Sequence, residues 1–110
     1  MDKIPEDDAS KEKLQLLLFQ LGEQLKDPPI MIDFYDWRDT VEIIMKDIQE
    51  VSAYVHDRLD DLVTEAVRLA NKHVMDLDED APPKDSEQSA MNYFEQIAFV
   101  ASEINAIKSL

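Results

Sequence analysis

Leucines recur at intervals of three and four residues near the start of the chain, the spacing of one face of an α-helix. The pattern predicts a first helix from about Ser10 to Lys26. Ser10 and the acidic residues before it suit a helix N-terminus, where side-chain oxygens and negative charge are favoured. Residues 1–9 are predicted to be a flexible acidic arm and residues 10–110 one domain, since so short a chain seldom holds two cores. The predicted core leucines are Leu14, Leu17, Leu18, Leu21 and Leu25, and Leu16 and Phe19 are expected to widen that face.

The central block, residues 30–81, contains neither glycine nor proline, the two residues that most often interrupt helices. Its apolar positions step by three and four residues, but the step from Val55 to Leu59 is a second four in succession. Such a slip occurs within one long packed helix, and also where two shorter helices meet. One helix across most of the block would be about 60 Å long and would favour a dimer. We favour two helices joined near residues 49–56, because globular helices average about 11–12 residues.

The last block follows a polar linker from Asp76 to Asp85 and is predicted to be a helix that runs close to the C-terminus. Asp85 with Gln88 three residues later has the spacing of a capping box, and Ser86 is an alternative cap. Together the three blocks predict an all-α protein, a small bundle of four helices, or of three with one long central helix. The predicted inward face of the last helix is Met91, Phe94, Ile97, Ala101 and Ile104, with Tyr93, Ala98 and Ile107 at its edges.

The charge of the chain narrows the classes of function. Twenty-five Asp and Glu residues stand against eleven Lys and Arg residues, giving a formal charge of −14 over 110 residues. Direct binding to nucleic acid or to an anionic membrane needs a positive surface, so neither is expected. The chain has no cysteine, which excludes disulfides, thiol catalysis and cysteine-based zinc sites. It shows no signal segment and no membrane-spanning run, and we expect a cytoplasmic protein.

The segment Pro29–Trp37 places six large apolar residues in the eight positions after its proline and holds the only tryptophan. Aromatic residues and methionine are enriched in the cores of protein interfaces. Two interpretations are open. Either the segment folds over one end of the bundle and seals the core, or part of it stays exposed and binds a partner. In the second case, the predicted anchors are Phe34, Tyr35 and Trp37.

Acidic residues are predicted to form a band beside these anchors. The like-charged Asp57 and Asp61, four residues apart, cost a helix roughly a few tenths of a kcal/mol, so stability does not account for them. An acidic surface with aromatic residues suits a basic groove on another protein, although it is also explained by solubility alone. We predict a non-enzymatic inhibitor or regulator, without a cofactor, that docks on a basic partner as a nucleic-acid mimic or immunity-type protein. The other predicted binding residues are Asp33, Asp36, Asp39, Glu50, Tyr54, Asp57 and Asp61.

Acids spaced three residues apart give an alternative hypothesis. Asp39 with Glu42, and Asp57 with Asp60, each share a helix face, and two such pairs on antiparallel helices suit Mg²⁺. The stretch from Asp57 to Asp78, which begins Asp-Arg-Leu-Asp-Asp-Leu-Val-Thr-Glu, resembles the third helix of the MazG-like all-α nucleotide pyrophosphohydrolases. By this resemblance the four acids would be Mg²⁺ ligands of an enzyme that releases pyrophosphate from nucleotides.

Three further hypotheses remain: a calcium-binding loop, a ribonuclease site and a homodimeric assembly. Residues 76–87 place acids at positions 1, 3, 5 and 12 of a calcium-binding loop, with Ala81 where the sharp turn normally uses glycine. Arg68 and His73 have the Arg-x4-His spacing of the HEPN family of helical ribonucleases, which this stretch resembles. The competing interpretations are a solvated acidic loop and ordinary helix positions. A homodimeric structural or scaffold component is the last alternative, and it depends on a long central helix.

Overall fold

The computed structural model describes residues 5, 7–78 and 83–109. Within them the chain forms four α-helices and no strand, with one 3₁₀ turn before the second helix. The all-α bundle predicted from the sequence is therefore confirmed in its four-helix form. The helices are α1 (Asp8–Leu25), α2 (Phe34–Val51), α3 (Ala53–Asp78) and α4 (Pro83–Lys108), and the 3₁₀ turn, η1, is Met31–Asp33.

Asp7 caps the first helix, because its side chain accepts a hydrogen bond from the Ser10 N–H at 2.9 Å. This bond also holds the pKa of Asp7 below its ordinary value. The helix therefore begins at Asp8, so residues 8 and 9 of the predicted acidic arm are helical. Residues 1–4 and 6 of that arm lie outside the described residues. All five predicted core leucines of α1 are buried, but Leu16 and Phe19, which were expected to widen the buried face, are exposed because they lie on the opposite side of the helix.

Ser52 alone separates α2 from α3. Its backbone is extended, with φ −154° and ψ 105°, and its N–H donates to the Ile48 carbonyl at 2.8 Å. Its side-chain oxygen accepts a hydrogen bond from the Val55 N–H at 3.2 Å. Ser52 thus ends one helix and caps the next, a role for which serine is well suited. The prediction of two helices joined within residues 49–56 is confirmed.

The third and fourth helices extend further toward each other than the sequence pattern predicts. Asp76 lies within α3 and Asp85 in the first turn of α4, so neither the polar linker of residues 76–85 nor the cap at Asp85 is correct. Pro83 opens α4, which is favourable because the first helical residue has no intrahelical use for an N–H. Residues 79–82, which include most of the predicted calcium loop's turn, lie outside the described residues.

The buried face of α4 is rotated from the predicted one. Met91, Phe94 and Ala101, which were expected to face inward, are exposed. The reason is that polar residues of α4 face α3: Gln96 donates to the Leu62 carbonyl at 3.0 Å. A prediction from apolar spacing places polar side chains such as Gln96 toward solvent, so it assigned the wrong side of α4 to the core. The buried apolar residues of α4 are Tyr93, Val100, Ile104 and Ile107.

Consecutive helices pack against one another, and α1 also packs against α4. Tyr93 Oη donates to the Leu25 carbonyl at 2.6 Å. In a continuing helix that carbonyl would accept from residue 29, but Pro29 has no N–H, so the tyrosine hydroxyl supplies a donor instead. One hydrophobic core runs through a molecule measuring 51 × 23 × 18 Å. Among the helices described, none is long and apolar enough to cross a membrane.

Candidate protein-binding surface

The chain between α1 and α2 makes a short turn before the second helix begins. Two consecutive prolines cannot continue a helix, so α1 ends before them and the chain restarts in the 3₁₀ turn η1. Pro29 is buried, and the Asp33 N–H donates to the Ile30 carbonyl at 3.1 Å. The turn leads directly into α2, whose 3.6-residue period then divides the apolar side chains of the segment between core and solvent.

Phe34 and Trp37 belong to the core, with only 6% and 8% of their surface exposed. Their rings stack with centroids 6.1 Å apart. Trp37 Nε1 donates to the Gln24 carbonyl at 2.9 Å, and Gln24 Nε2 donates back to the Trp37 carbonyl at 3.3 Å. A buried indole N–H needs such a partner. The two residues therefore cannot serve as the surface anchors predicted for them, and they instead fasten the start of α2 to the end of α1.

Three neighbours of these core residues remain exposed. Ile32 is 86% exposed, Tyr35 67% and Ile30 58%. The Tyr35 ring meets Phe34 edge-on with centroids 5.7 Å apart, and Arg38 Cζ lies 5.2 Å from the Tyr35 ring centroid. Tyr35 is thus supported by two neighbours while most of its surface faces solvent. We call Ile30, Ile32 and Tyr35 together the Ile32 surface.

Exposed carboxylates flank the Ile32 surface in the chain. Asp33 precedes α2, Asp36 lies in its first turn and Asp39 one turn further on. Negative charge near a helix N-terminus is stabilising, so Asp33 and Asp36 also have a structural role. Arg38 Nη2 lies 3.7 Å from the Asp39 carboxylate, in a surface pair of small energetic value. The start of α2 therefore combines large apolar side chains with three acids.

The acidic band predicted along the central segment is divided between two helices. Because the chain turns at Ser52, Glu50 lies near the end of α2, whereas Asp57 and Asp61 lie near the start of α3. All three acids are exposed. They are separated along α2 from the acids beside the Ile32 surface by most of a helix about 27 Å long. The predicted binding residues thus form two groups at different positions rather than one band.

Tyr54, predicted as an aromatic residue within that band, is half-buried and engaged by its own helix. Arg58 donates to the Tyr54 hydroxyl at 3.2 Å, and its guanidinium carbon lies 5.6 Å from the ring centroid. Arg58 also forms an ion pair with Glu103 of α4. Tyr54 is therefore part of the α3–α4 packing, and it offers a partner less surface than Tyr35 does.

The acids of the magnesium hypothesis are not assembled into one site. On α3, His56 Nδ1 lies 3.2 Å from Asp57 Oδ1, and its Nε2 lies 4.0 Å from Asp60 Oδ1. On α2, the acids lie beside Arg38. In the part of the chain that the structure describes, no three His, Asp or Glu side chains are grouped so that they could hold a metal ion. The four acids concerned are Asp39, Glu42, Asp57 and Asp60.

The polar residues near the end of α3 have structural partners. Asp76, the first acid of the proposed calcium loop, has a side chain only 7% exposed, and Lys72 Nζ donates to its Oδ1 at 2.5 Å. This hydrogen bond holds the pKa of Asp76 below its ordinary value. His73 Nδ1 lies 3.0 Å from Ser89 Oγ on α4, whereas Arg68 is exposed. Arg68 instead forms an ion pair with Glu65 of its own helix, so Arg68 and His73 have separate partners.

Comparison with known proteins gives this chain no family. No protein-family model, curated protein or solved structure matches it. The likenesses to MazG-like and HEPN proteins therefore rest on short stretches of helix alone.

Ile30 and Ile32 are the two residues of the Ile32 surface that sequence reasoning did not single out. A signal for them was present in the core register of α2. Stepping back from Val41 by four and then by three residues gives Trp37 and Phe34, which continues the spacing of the buried face. Extending the register in this way assigns both aromatic residues to the core and leaves the isoleucines before the helix outside it.

Proposed function

We propose that this chain is a small protein-binding module that docks on a basic partner protein through the Ile32 surface. The observation that carries the proposal is the exposure of three large apolar side chains within residues 30–35, where Ile32 is 86% exposed. Single apolar residues on a surface need no explanation, whereas apolar residues gathered in one place often mark an interaction site.

The support beneath this surface makes it suitable for binding. Tyr35 is packed on Phe34, and the start of α2 is tied to α1 by the reciprocal hydrogen bonds between Trp37 and Gln24. Binding by a preorganised segment loses less conformational entropy than binding by a flexible one. Exposed aromatic and aliphatic anchors on such a segment are the residue types that dominate binding energy in protein interfaces.

The charges indicate the chemistry of the partner. Three exposed acids, Asp33, Asp36 and Asp39, lie beside the anchors, and the whole chain carries a formal charge of −14. A complementary surface would have an apolar pocket bordered by Lys and Arg. Opposite charges accelerate association and fix orientation, while the apolar anchors slow dissociation. By covering a basic groove, as a nucleic-acid mimic or an immunity-type protein does, the chain would inhibit or regulate its partner.

The test compares two double variants of the immobilised chain in capture from lysate of its native cells. Ile32→Ser with Tyr35→Ala removes the proposed anchors. Ile43→Ser with Phe99→Ala is the matched control, since it also removes one exposed isoleucine and one exposed aromatic residue. We expect a basic protein that binds the wild type and the control and is lost from the Ile32/Tyr35 variant. Equal capture by both variants would contradict the proposal.

Salt and charge variants then test electrostatic steering with the purified partner. The association rate should fall as salt rises, because screening shortens the range of the attraction. Asp33→Asn with Asp36→Asn should lower that rate more than Asp57→Asn with Asp61→Asn, which removes the same charge from α3. An association rate independent of salt, or a larger effect of the α3 variant, would show that the acids beside the Ile32 surface do not guide docking.

A further inference from the structure

The link between α2 and α3 is unusually short and has no residue that forbids a helix. Ser52 is its single residue, and Val51 and Ala53 are already helical. The Ser52 N–H donates to the Ile48 carbonyl, and the Ser52 carbonyl accepts from the His56 N–H at 3.1 Å. Both are hydrogen bonds that a continuous helix would also contain. Besides the packing of α2 against α3, the break rests on the extended backbone of one serine and on the cap that its hydroxyl provides.

The core-facing residues of α2 and α3 have the spacing of one side of a single continuous helix. With about 100° per residue, the buried apolar residues of α2 and α3 all fall within an arc of about 120° when the helix is continued through Ser52. Ser52 lies inside the same arc, and it is small and buried. Two helices joined by a turn do not need a common phase, because the dihedral angles of the turn rotate each one separately. A continuous helix does need one.

We propose that the chain has a second, open state in which α2 and α3 join into one helix through Ser52, and that two open chains exchange their α1–α2 hairpins to form a dimer. The joined helix of residues 34–78 would be about 67 Å long. The partner is thus a second copy of this chain. Exchange of an identical element between copies is a low-cost route to a dimer, since the contacts broken within a chain are remade between chains.

The contacts that would be remade are specific. In the closed chain, α1–α2 meets α3–α4 through the hydrogen bond from Tyr93 Oη to the Leu25 carbonyl and through the Trp37 and Tyr93 rings, whose centroids are 6.3 Å apart. In the exchanged dimer the same pairs would form between the two chains. Only the residues next to Ser52 change their surroundings. This proposal does not depend on the function of the Ile32 surface.

Cross-linking distinguishes the two states. Lys46 and Thr64 line a groove of about 320 Å³ between α2 and α3. The chain has no cysteine, so Lys46→Cys with Thr64→Cys introduces the only thiols. A short bis-maleimide joins them within one chain in the closed state. In the joined helix they are about 27 Å apart along one axis, so the reagent joins only different chains. With Ser52 unchanged, we expect links between chains to increase with protein concentration, in a species with the mass of a dimer.

Two substitutions at the hinge separate the exchange from simple destabilisation. Ser52→Ala and Ser52→Gly both remove the capping hydroxyl, but alanine favours a continuous helix and glycine disfavours it. We expect Ser52→Ala to raise the dimer association constant at least about tenfold over Ser52→Gly. Equal dimerisation of the two variants, or dimers whose cross-links stay within each chain, would overturn the proposal. If Ser52→Ala does not fold, the concentration series with Ser52 decides, and exclusively intrachain links up to millimolar protein would refute the open state.

Discussion

The two helical hairpins of this protein are held together by different chemistry. The α1–α2 hairpin is joined by leucines and by the buried aromatic residues Phe34 and Trp37. The α3–α4 hairpin contains small core residues, Ala66 and Ala70, and is crossed by polar contacts such as the one from Gln96 to the Leu62 carbonyl. The α1–α2 interface is apolar apart from the reciprocal hydrogen bonds between Trp37 and Gln24 at one end, whereas polar contacts cross α3–α4 at several points along its length.

Apolar burial and hydrogen bonds contribute to a fold in different ways. Burying a leucine side chain contributes about 1.5–3 kcal/mol, whereas a typical hydrogen bond adds only about 0.5–1.5 kcal/mol net. A buried polar group that loses its partner is costly, however, and this penalty disfavours wrong registers. Both hairpins bury apolar residues, and we infer that the polar contacts of α3–α4 in addition fix how those helices are rotated.

Among substitutions that leave the chain able to fold, the largest expected effect comes from the leucine interface. Leu21 is fully buried, and Leu21→Ala should lower the free energy of unfolding by about 2–5 kcal/mol, because it removes buried surface and leaves a cavity. Leu16→Ala is the control on the same helix, since Leu16 is 55% exposed. Urea unfolding followed by circular dichroism measures both. A similar loss for the two variants would show that α1 does not pack by the face described.

Tyr93→Phe tests the contact that closes the two hairpins on each other. It removes the hydrogen bond to the Leu25 carbonyl, which Pro29 cannot replace, and should cost about 1–3 kcal/mol of unfolding free energy. Tyr35→Phe removes an exposed hydroxyl and should change stability by less than about 0.5 kcal/mol. Equal stability of the two variants in urea would mean that the Tyr93 hydroxyl contributes no more to the free energy of unfolding than a solvent-exposed hydroxyl does.

The same contrast explains which parts of the fold could be predicted from the sequence. The core face of α1 was predictable because five leucines repeat at helical spacing and no polar residue between them lies on the face that they share. The break at Ser52 was predictable only as a region, because serine is compatible with a helix interior and with a cap. The rotation of α4 was not, since Gln96 faces α3 through a hydrogen bond that apolar periodicity cannot register.

The candidate surface was predictable as a segment but not residue by residue. The density of apolar residues in Pro29–Trp37 identified it, yet composition does not say which of them face inward. That choice depends on where α2 begins, and the 3₁₀ turn before Phe34 sets it. The result is that Tyr35 is exposed beside a buried Phe34. The acids were predicted to form one band because the apolar pattern does not show that the chain turns at Ser52. That turn depends on how α2 and α3 pack against each other.

A smaller effect, with a characteristic pH dependence, is expected from the polar interface at Asp76. Its pKa is held below the ordinary value of 3.8 by the hydrogen bond from Lys72, so the carboxylate stabilises the folded chain above that pH. This stabilisation is lost as the pH falls through the lowered pKa. Asp76→Asn should therefore reduce the Tm by roughly a few degrees at pH 7, and the difference should narrow below about pH 4. Asp61→Asn, an exposed acid on the same helix, is the control, and an equal shift for both would exclude a special role for Asp76.

The smallest expected effect is the sharpest test of how α4 is rotated. Ala101 was placed inward by apolar periodicity and is exposed in the structure, whereas its neighbour Val100 is 1% exposed. Ala101→Lys should therefore change the unfolding free energy by less than about 0.5 kcal/mol. Val100→Lys should prevent stable folding, because a buried ammonium group without a partner is very costly. Thermal unfolding of the two variants tests which face of α4 is buried. A folded Val100→Lys and an unfolded Ala101→Lys would show that the face indicated by the apolar spacing packs against α3, and would contradict the polar contacts described between α3 and α4.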